Sequence, residues 1–199
     1  MKILLRSLAL LLLLISCTGE NEPLNQRTTA SKSPFEELKE QLAKNPRDAD
    51  AWYRLADMYE SSRMYSEEID ALKTVIALQP GRRYAYVRLG NAFNRLGRYH
   101  DAIQSFLTGA KYPPPDPVLY NNLGVAYGMT GQTGEEISAL NKAISLRPHY
   151  ATARYNLGVT LLKTGRRKEA LRQYYELNTF DAGTAVALKK QIESGKTSP

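Results

Sequence analysis

Arg54, Arg88, Asn122 and Asn156 follow one another at intervals of 34 residues. A guanidinium offers a planar fork of donors that grips a carboxylate or phosphate through two parallel hydrogen bonds. A carboxamide donates and accepts at once, so it matches a peptide unit without reading its side chain. Groups of this kind, repeated along a chain, point to recognition. Groups that break bonds are scarce. His100 and His149 are isolated, with no HExxH or Cys/His spacing around them, so a metal site has no support. Gly195-Lys196-Thr197 resembles the end of a phosphate-binding loop, but Lys190 stands where that loop needs its first glycine and no strand pattern precedes it. No nucleophile–base or acid–base arrangement is visible, so neither catalytic residue, cofactor nor small-molecule substrate is expected.

Cys17 is the single cysteine, which rules out an intramolecular disulfide and leaves stability to packing. Lys2 and Arg6 precede an apolar run from Leu8 to Ile15. That run has the length of a signal-peptide core and falls short of the ~20 residues a membrane-spanning helix needs. It closes on Leu14-Ile15-Ser16-Cys17, which resembles the lipobox of bacterial lipoproteins. The resemblance implies a signal peptide over residues 1–16, cleaved before Cys17, and a diacylglycerol thioether on the Cys17 sulfur. It implies, too, a further acyl chain on the new amino group, and two or more chains anchor a protein stably. An ordinary secretory signal fits less well, because Leu14 and Ile15 suit an Ala-x-Ala site poorly. Thr18 follows in place of the aspartate that retains such proteins in the inner membrane, so the resemblance implies the outer membrane, facing the periplasm. Another bacterial membrane or the cell surface is the alternative. Residues 17–32 carry Gly19, Pro23 and many small polar residues without apolar periodicity, and are expected to be a flexible tether. Loss of Lys2 and Arg6 would take the formal charge from +7 to about +5, too diffuse an excess to imply nucleic acid.

The elements that must position the recurring polar groups are themselves periodic. Pro46, Pro80, Pro114 and Pro148 keep the 34-residue interval. Trp52-Leu55-Ala56-Tyr59 recurs as Tyr86-Leu89-Gly90-Phe93, Tyr120-Leu123-Gly124-Tyr127 and Arg154-Leu157-Gly158-Leu161. Spacing i, i+3, i+4, i+7 puts each set on one helical face. A second set, Glu68-Leu72-Val75, Ala102-Phe106-Gly109, Glu136-Leu140-Ala143 and Ala170-Tyr174-Leu177, lines one face of a second helix. Gly97, Gly131 and Gly165 stand between the helices, where a helix end needs a left-handed residue. Arg63 occupies that place in the first unit, which is therefore expected to turn differently. Asp116 and Pro117 are expected to cap and open the third unit. No unit of this kind can bury its apolar face alone, so the units must stack, with Ala56, Gly90, Gly124 and Gly158 against a neighbour's bulk.

The period and these residue types resemble the tetratricopeptide repeat (TPR) family over residues 49–182. The resemblance implies an all-α, right-handed α-solenoid of four helix-turn-helix units, at about 49–82, 83–116, 117–150 and 151–184. The fourth departs from the pattern at Arg154, where an aromatic is usual, and at Ala182, where proline is expected. Ser33-Pro34-Phe35-Glu36 has the form of a capping box opening an N-terminal capping helix over about 34–44. Ala185, Leu188 and Ile192 line one side of a C-terminal capping helix over about 184–194, closing a domain of 33–194 before a disordered tail, 195–199. In TPR proteins the first helices build the inner wall of the groove. Carried onto this chain, that places Arg54, Tyr84, Arg88, Asn91, Asn121, Asn122, Tyr155 and Asn156 there. A carboxylate clamp is incomplete, because Val87, Thr152 and Asn156 stand where its bases belong, so no preference for a chaperone-type acidic C-terminus is expected. The resemblance thus implies a non-enzymatic scaffold that binds a protein or peptide segment in its groove, held to the membrane through Cys17, in envelope or pilus-type assembly. The alternative is a structural subunit that packs or self-associates through its convex face.

Overall fold

The computed structural model describes residues 32–195. The expected signal peptide, the Cys17 anchor and the tether up to residue 31 lie outside the described residues, as does the tail from 196. The described part is all-helical. Its ten helices are α1 (Pro34–Lys44), α2 (Ala49–Ser61), α3 (Tyr65–Leu78), α4 (Arg83–Arg95), α5 (Tyr99–Gly109), α6 (Pro117–Met129), α7 (Thr133–Leu146), α8 (Ala151–Lys163), α9 (Arg167–Asn178) and α10 (Ala182–Ser194). They form four antiparallel pairs, α2/α3 to α8/α9, with α1 and α10 at the ends, and each pair packs on the next.

Local chemistry sets where the helices begin. Ser33 Oγ accepts from the Glu36 amide while the Glu36 carboxylate accepts from the Ser33 amide, and Pro34 fills the first turn of α1. Asp48 and Asp181 cap α2 and α10 in the same sense. Asp116 Oδ1 accepts from Val118 N at 2.9 Å, with Pro117 at the start of α6. Such caps satisfy amides that have no partner within the helix.

The turns inside the pairs correct one expectation. Gly97, Gly131 and Gly165 are left-handed, at φ 71°, 74° and 76°, and Arg63 is left-handed too, at φ 58°. Met64 N donates to Tyr59 O at 2.9 Å, just as Arg98 N donates to Phe93 O at 2.9 Å. The first unit therefore makes the same turn as the others. Hydrogen bonding to the last carbonyls of α2 imposes the geometry, and the arginine side chain bears it.

The core is a row of large side chains set against small ones. Leu72, Phe106 and Leu140 are fully buried. A Cβ on Gly90 would stand 2.5 Å from the Phe106 ring, and one on Gly124 would stand 2.8 Å from Leu140, so glycine lets α4 and α6 close on the second helix of their own unit, not on a neighbouring unit's bulk as expected. The fourth unit breaks the row. Tyr174, the counterpart of Leu140, is only half-buried, and the side chain over Gly158 is Leu188 of α10, 2.6 Å from an added Cβ. The last helix packs on both α8 and α9 and completes the core with Ala185, Leu188 and Ile192. At the other end Leu38 and Leu42 of α1 join Ala51 and Leu55, with Phe35 edge-on to Tyr59 at 5.4 Å.

Candidate functional site

The first helices α2, α4, α6 and α8 touch in sequence through polar side chains, and those contacts make one wall. Between α2 and α4 the contact is ionic. Arg88 pairs with Asp57, with Glu60 at 3.2 Å and with Glu68 of α3 at 3.3 Å. Its guanidinium also lies 4.8 Å from the Tyr53 ring centre, and Arg82 lies over the same ring at 4.2 Å. Arg95 adds a bond to Glu60 at 3.0 Å. Burial works against the Arg88 charge, but Tyr53, Asp57 and Glu68 outweigh it and raise its pKa above the ordinary value. Glu68 shifts upward: burial and then repulsion from Glu60 prevail over the pull of Arg88. A carboxylate taken out of water loses more than one cation at 3.3 Å returns.

Further along, the contacts become neutral. Asn122 Nδ2 donates to Asn91 Oδ1 at 2.8 Å, Asn121 Nδ2 to Asn122 Oδ1 at 3.0 Å, and Asn156 Nδ2 to Asn121 Oδ1 at 3.0 Å. This chain of carboxamides crosses α4, α6 and α8. Asn91 Nδ2 at one end and Asn156 Oδ1 at the other stand outside these carboxamide bonds.

Beside Asn156 the wall opens into a cleft of about 280 Å³. Val125, Met129, Tyr155 and Val159 supply its apolar lining, Glu136 and Thr160 polar groups, and Lys163 of α8 and Gln191 of α10 complete it. Met129 is 57% exposed. A second hollow between α8 and α10 is lined by Thr152, Tyr155, Gly183, Thr184 and Ala187, so the wall continues onto α10.

Tetratricopeptide-repeat sequence profiles match residues 36–83, 69–117 and 137–179, and another match covers 118–150. Together they run without a gap from 36 to 179. The chain belongs to the tetratricopeptide-repeat family. No curated protein sequence matches it significantly. Among solved structures, MamA is similar at 21% identity and a TM-score of 0.70, over 80% of this chain and 89% of that one; a MamA from Desulfovibrio magneticus RS-1 is among the matches. YrrB, described as a TPR protein with an unusual peptide-binding site, matches at 20% identity and a TM-score of 0.65, over 82% and 87% of the two chains. PilW, described as a widely conserved type IV pilus biogenesis factor, matches at 17% identity and a TM-score of 0.69, over 81% and 78%. At these identities the likeness is one of fold, the TPR solenoid. TPR domains are, as a family, protein-interaction modules.

The TPR fold brings Arg88, Asn91, Asn121, Asn122 and Asn156 into one continuous wall, but with different duties. Arg88 is occupied by three carboxylates of its own chain, and Asn121 is buried within the carboxamide chain. Arg54 is exposed, its one bond running from Nη2 to Gln41 Oε1 of α1 at 3.1 Å. Tyr84 is 60% exposed, with the Arg83 guanidinium 4.8 Å from its ring. Met129 and the inner side of α10 escaped the sequence reading. The signal for Met129 was its place one turn after Val125 on the same helix, with the apolar Val159 in the next unit. Among the described residues no helix is long and apolar enough to cross a membrane, and no cluster of His, Cys, Asp or Glu is arranged for a metal.

Proposed function

We propose that the chain is a membrane-anchored, non-enzymatic adaptor of the bacterial envelope that holds a peptide segment of another protein along the inner wall of its TPR solenoid. The observation that carries this reading is the apolar cleft around Val125, Met129, Tyr155 and Val159 beside the open carboxamide of Asn156. Apolar contacts supply affinity there, and the carboxamide ends supply backbone hydrogen bonds. The lipobox-like Leu14–Cys17 supports anchoring through acylated Cys17, with the outer membrane's periplasmic face as the site. The PilW fold supports assembly of the pilus kind.

Site-specific photocrosslinking in cells tests it. A benzophenone side chain placed at Met129 should capture a partner, while one at Tyr175 on α9 should not. The reverse pattern would refute groove binding. Cys17→Ser should move the protein from the membrane to the soluble fraction, and retention on the membrane would refute the lipid anchor.

A second reading, a subunit that packs or self-associates through its second-helix side, is favoured by one feature. A hollow of about 610 Å³ lies between α5, α6 and α7, lined by Leu107, Tyr120, Leu123 and Tyr127 among others. Leu107→Glu would abolish self-association in light scattering under that reading and leave a monomer unchanged under the first.

A further inference from the structure

Glu68 and Glu136 stand two repeat periods apart, and both carboxylates approach the wall of first helices from a second helix. In the first unit the carboxylate is answered by Arg88 of the second unit, whose guanidinium is also held by Glu60 and Asp57. Two periods on, the counterpart of Arg88 is Asn156 and the counterpart of Glu60 is Gly128. Asn156 turns its amide to Asn121 instead. Gly128 leaves room that any side chain would fill, since its Cβ would lie 2.7 Å from Glu136 Oε1. What remains on Glu136 is the Thr160 hydroxyl, 2.5 Å from Oε1, whose oxygen also lies 2.9 Å from the Asn156 carbonyl oxygen, so two acceptors compete for its single proton. Among the described residues no cation lies within 4.0 Å of this carboxylate, Lys163 on the cleft lip included. The carboxylate lines the cleft whose other walls are Val125, Met129 and Val159.

We propose that Glu136 is the specificity-determining acceptor for one lysine or arginine side chain of the bound segment. The methylenes of that side chain lie along the apolar walls and its cation reaches the carboxylate, as Arg88 reaches Glu68. The inference rests on the groove reading and adds the chemistry of the occupant. Lys163 on the lip of the cleft disfavours a segment that carries further cations. A single cation among apolar residues is what the site selects.

The test uses side-chain fragments on the full chain, n-butylguanidinium and its neutral analogue n-butylurea, read by NMR shifts of the Met129, Val125 and Val159 methyl groups. Saturable shifts with butylguanidinium are expected, with binding about ten- to a hundredfold weaker for butylurea and for the cation on Glu136→Gln. Asn156→Arg supplies an internal guanidinium where the second unit has Arg88, and should silence the response while keeping the wild-type melting temperature. Equal responses to both fragments, an unchanged response in Glu136→Gln or in Asn156→Arg, or no saturable shift at all would each overturn the proposal. Crosslinking from Met129 judges the groove separately. Capture that survives while the fragments show no preference removes the cation and leaves the groove; fragment preference without capture does the opposite.

Discussion

Arg63 carries a backbone conformation that its three counterparts give to glycine. In the left-handed region the Cβ of an L residue crowds the carbonyl oxygen that follows, at a cost on the order of 1–2 kcal/mol. Arg63→Gly removes that crowding but frees the unfolded chain, which offsets part of the gain. The expected net is a stabilisation of about 1 kcal/mol, seen as a melting temperature about 2–4 °C higher for a chain of this size. A lower melting temperature would mean that the arginine is held by contacts stronger than its strain. Glu68 sets a second prediction at this scale. Its folded pKa lies above the ordinary 4.5, raised by burial and by Glu60. Its contribution to stability is therefore fully present below about 4.5 and is lost as pH rises through the raised value. Thermal melts from pH 4 to 8 should show Glu68→Gln gaining on the wild type across that window and holding a constant difference above it. A difference that does not change with pH would show that Arg88 has fully compensated the buried charge.

Helices close on one another here through glycine faces, and the faces differ in what they meet. Gly90 admits the Phe106 ring so closely that an alanine Cβ would stand 2.5 Å from it. Gly90→Ala forces α4 and α5 apart or the ring off its rotamer, with an expected loss of about 1–3 kcal/mol in chemical denaturation. Gly134 in α7 has nothing within 4 Å of its Cβ position, so Gly134→Ala should instead gain about 0.5–1 kcal/mol through helix entropy. A pair of opposite signs in one solenoid separates close approach from propensity. Equal signs would sink the packing argument. Gly158 meets Leu188 of α10, and the same substitution there should speed amide exchange in α10 before any other helix.

For the molecule as a whole, contacts run mainly between neighbouring helices, so stability is close to a sum of units and interfaces. Removing α10 uncovers Leu177, with Leu162, Leu171 and Tyr174 beside it, and discards the burial of Leu188 and Ile192. Truncation after Phe180 is expected to cost about 4 kcal/mol, with lost exchange protection confined to α8 and α9 while α2 to α5 keep theirs. Uniform loss along the array would mean that it folds as one cooperative body. The proposed groove binding is also a property of the assembled wall, because α6, α7, α8 and α10 each supply part of the cleft. Met129→Glu should weaken partner capture at least about tenfold without lowering the melting temperature, since an exposed charge costs the fold little and an apolar contact much.

Helix class, number of units, turn positions and the small residues of the core were legible in the sequence, because each depends on spacing within or between repeats. Leu72, Phe106 and Leu140 keep their places for that reason. Other features depend on which side chains meet across units, and a linear pattern does not say whether a polar group faces solvent or a neighbour. Arg88 reads as a free guanidinium and is held by three carboxylates; Asn121 reads as a contact and is buried. Tyr174 reads as core and gives way to Leu188, since only packing shows that the last helix bends back onto α8. The sequence by itself determined that this chain is a TPR stack. Tertiary structure decided which stretch of its wall is closed by its own charges and which is open, because residues from four helices must converge before a cleft exists.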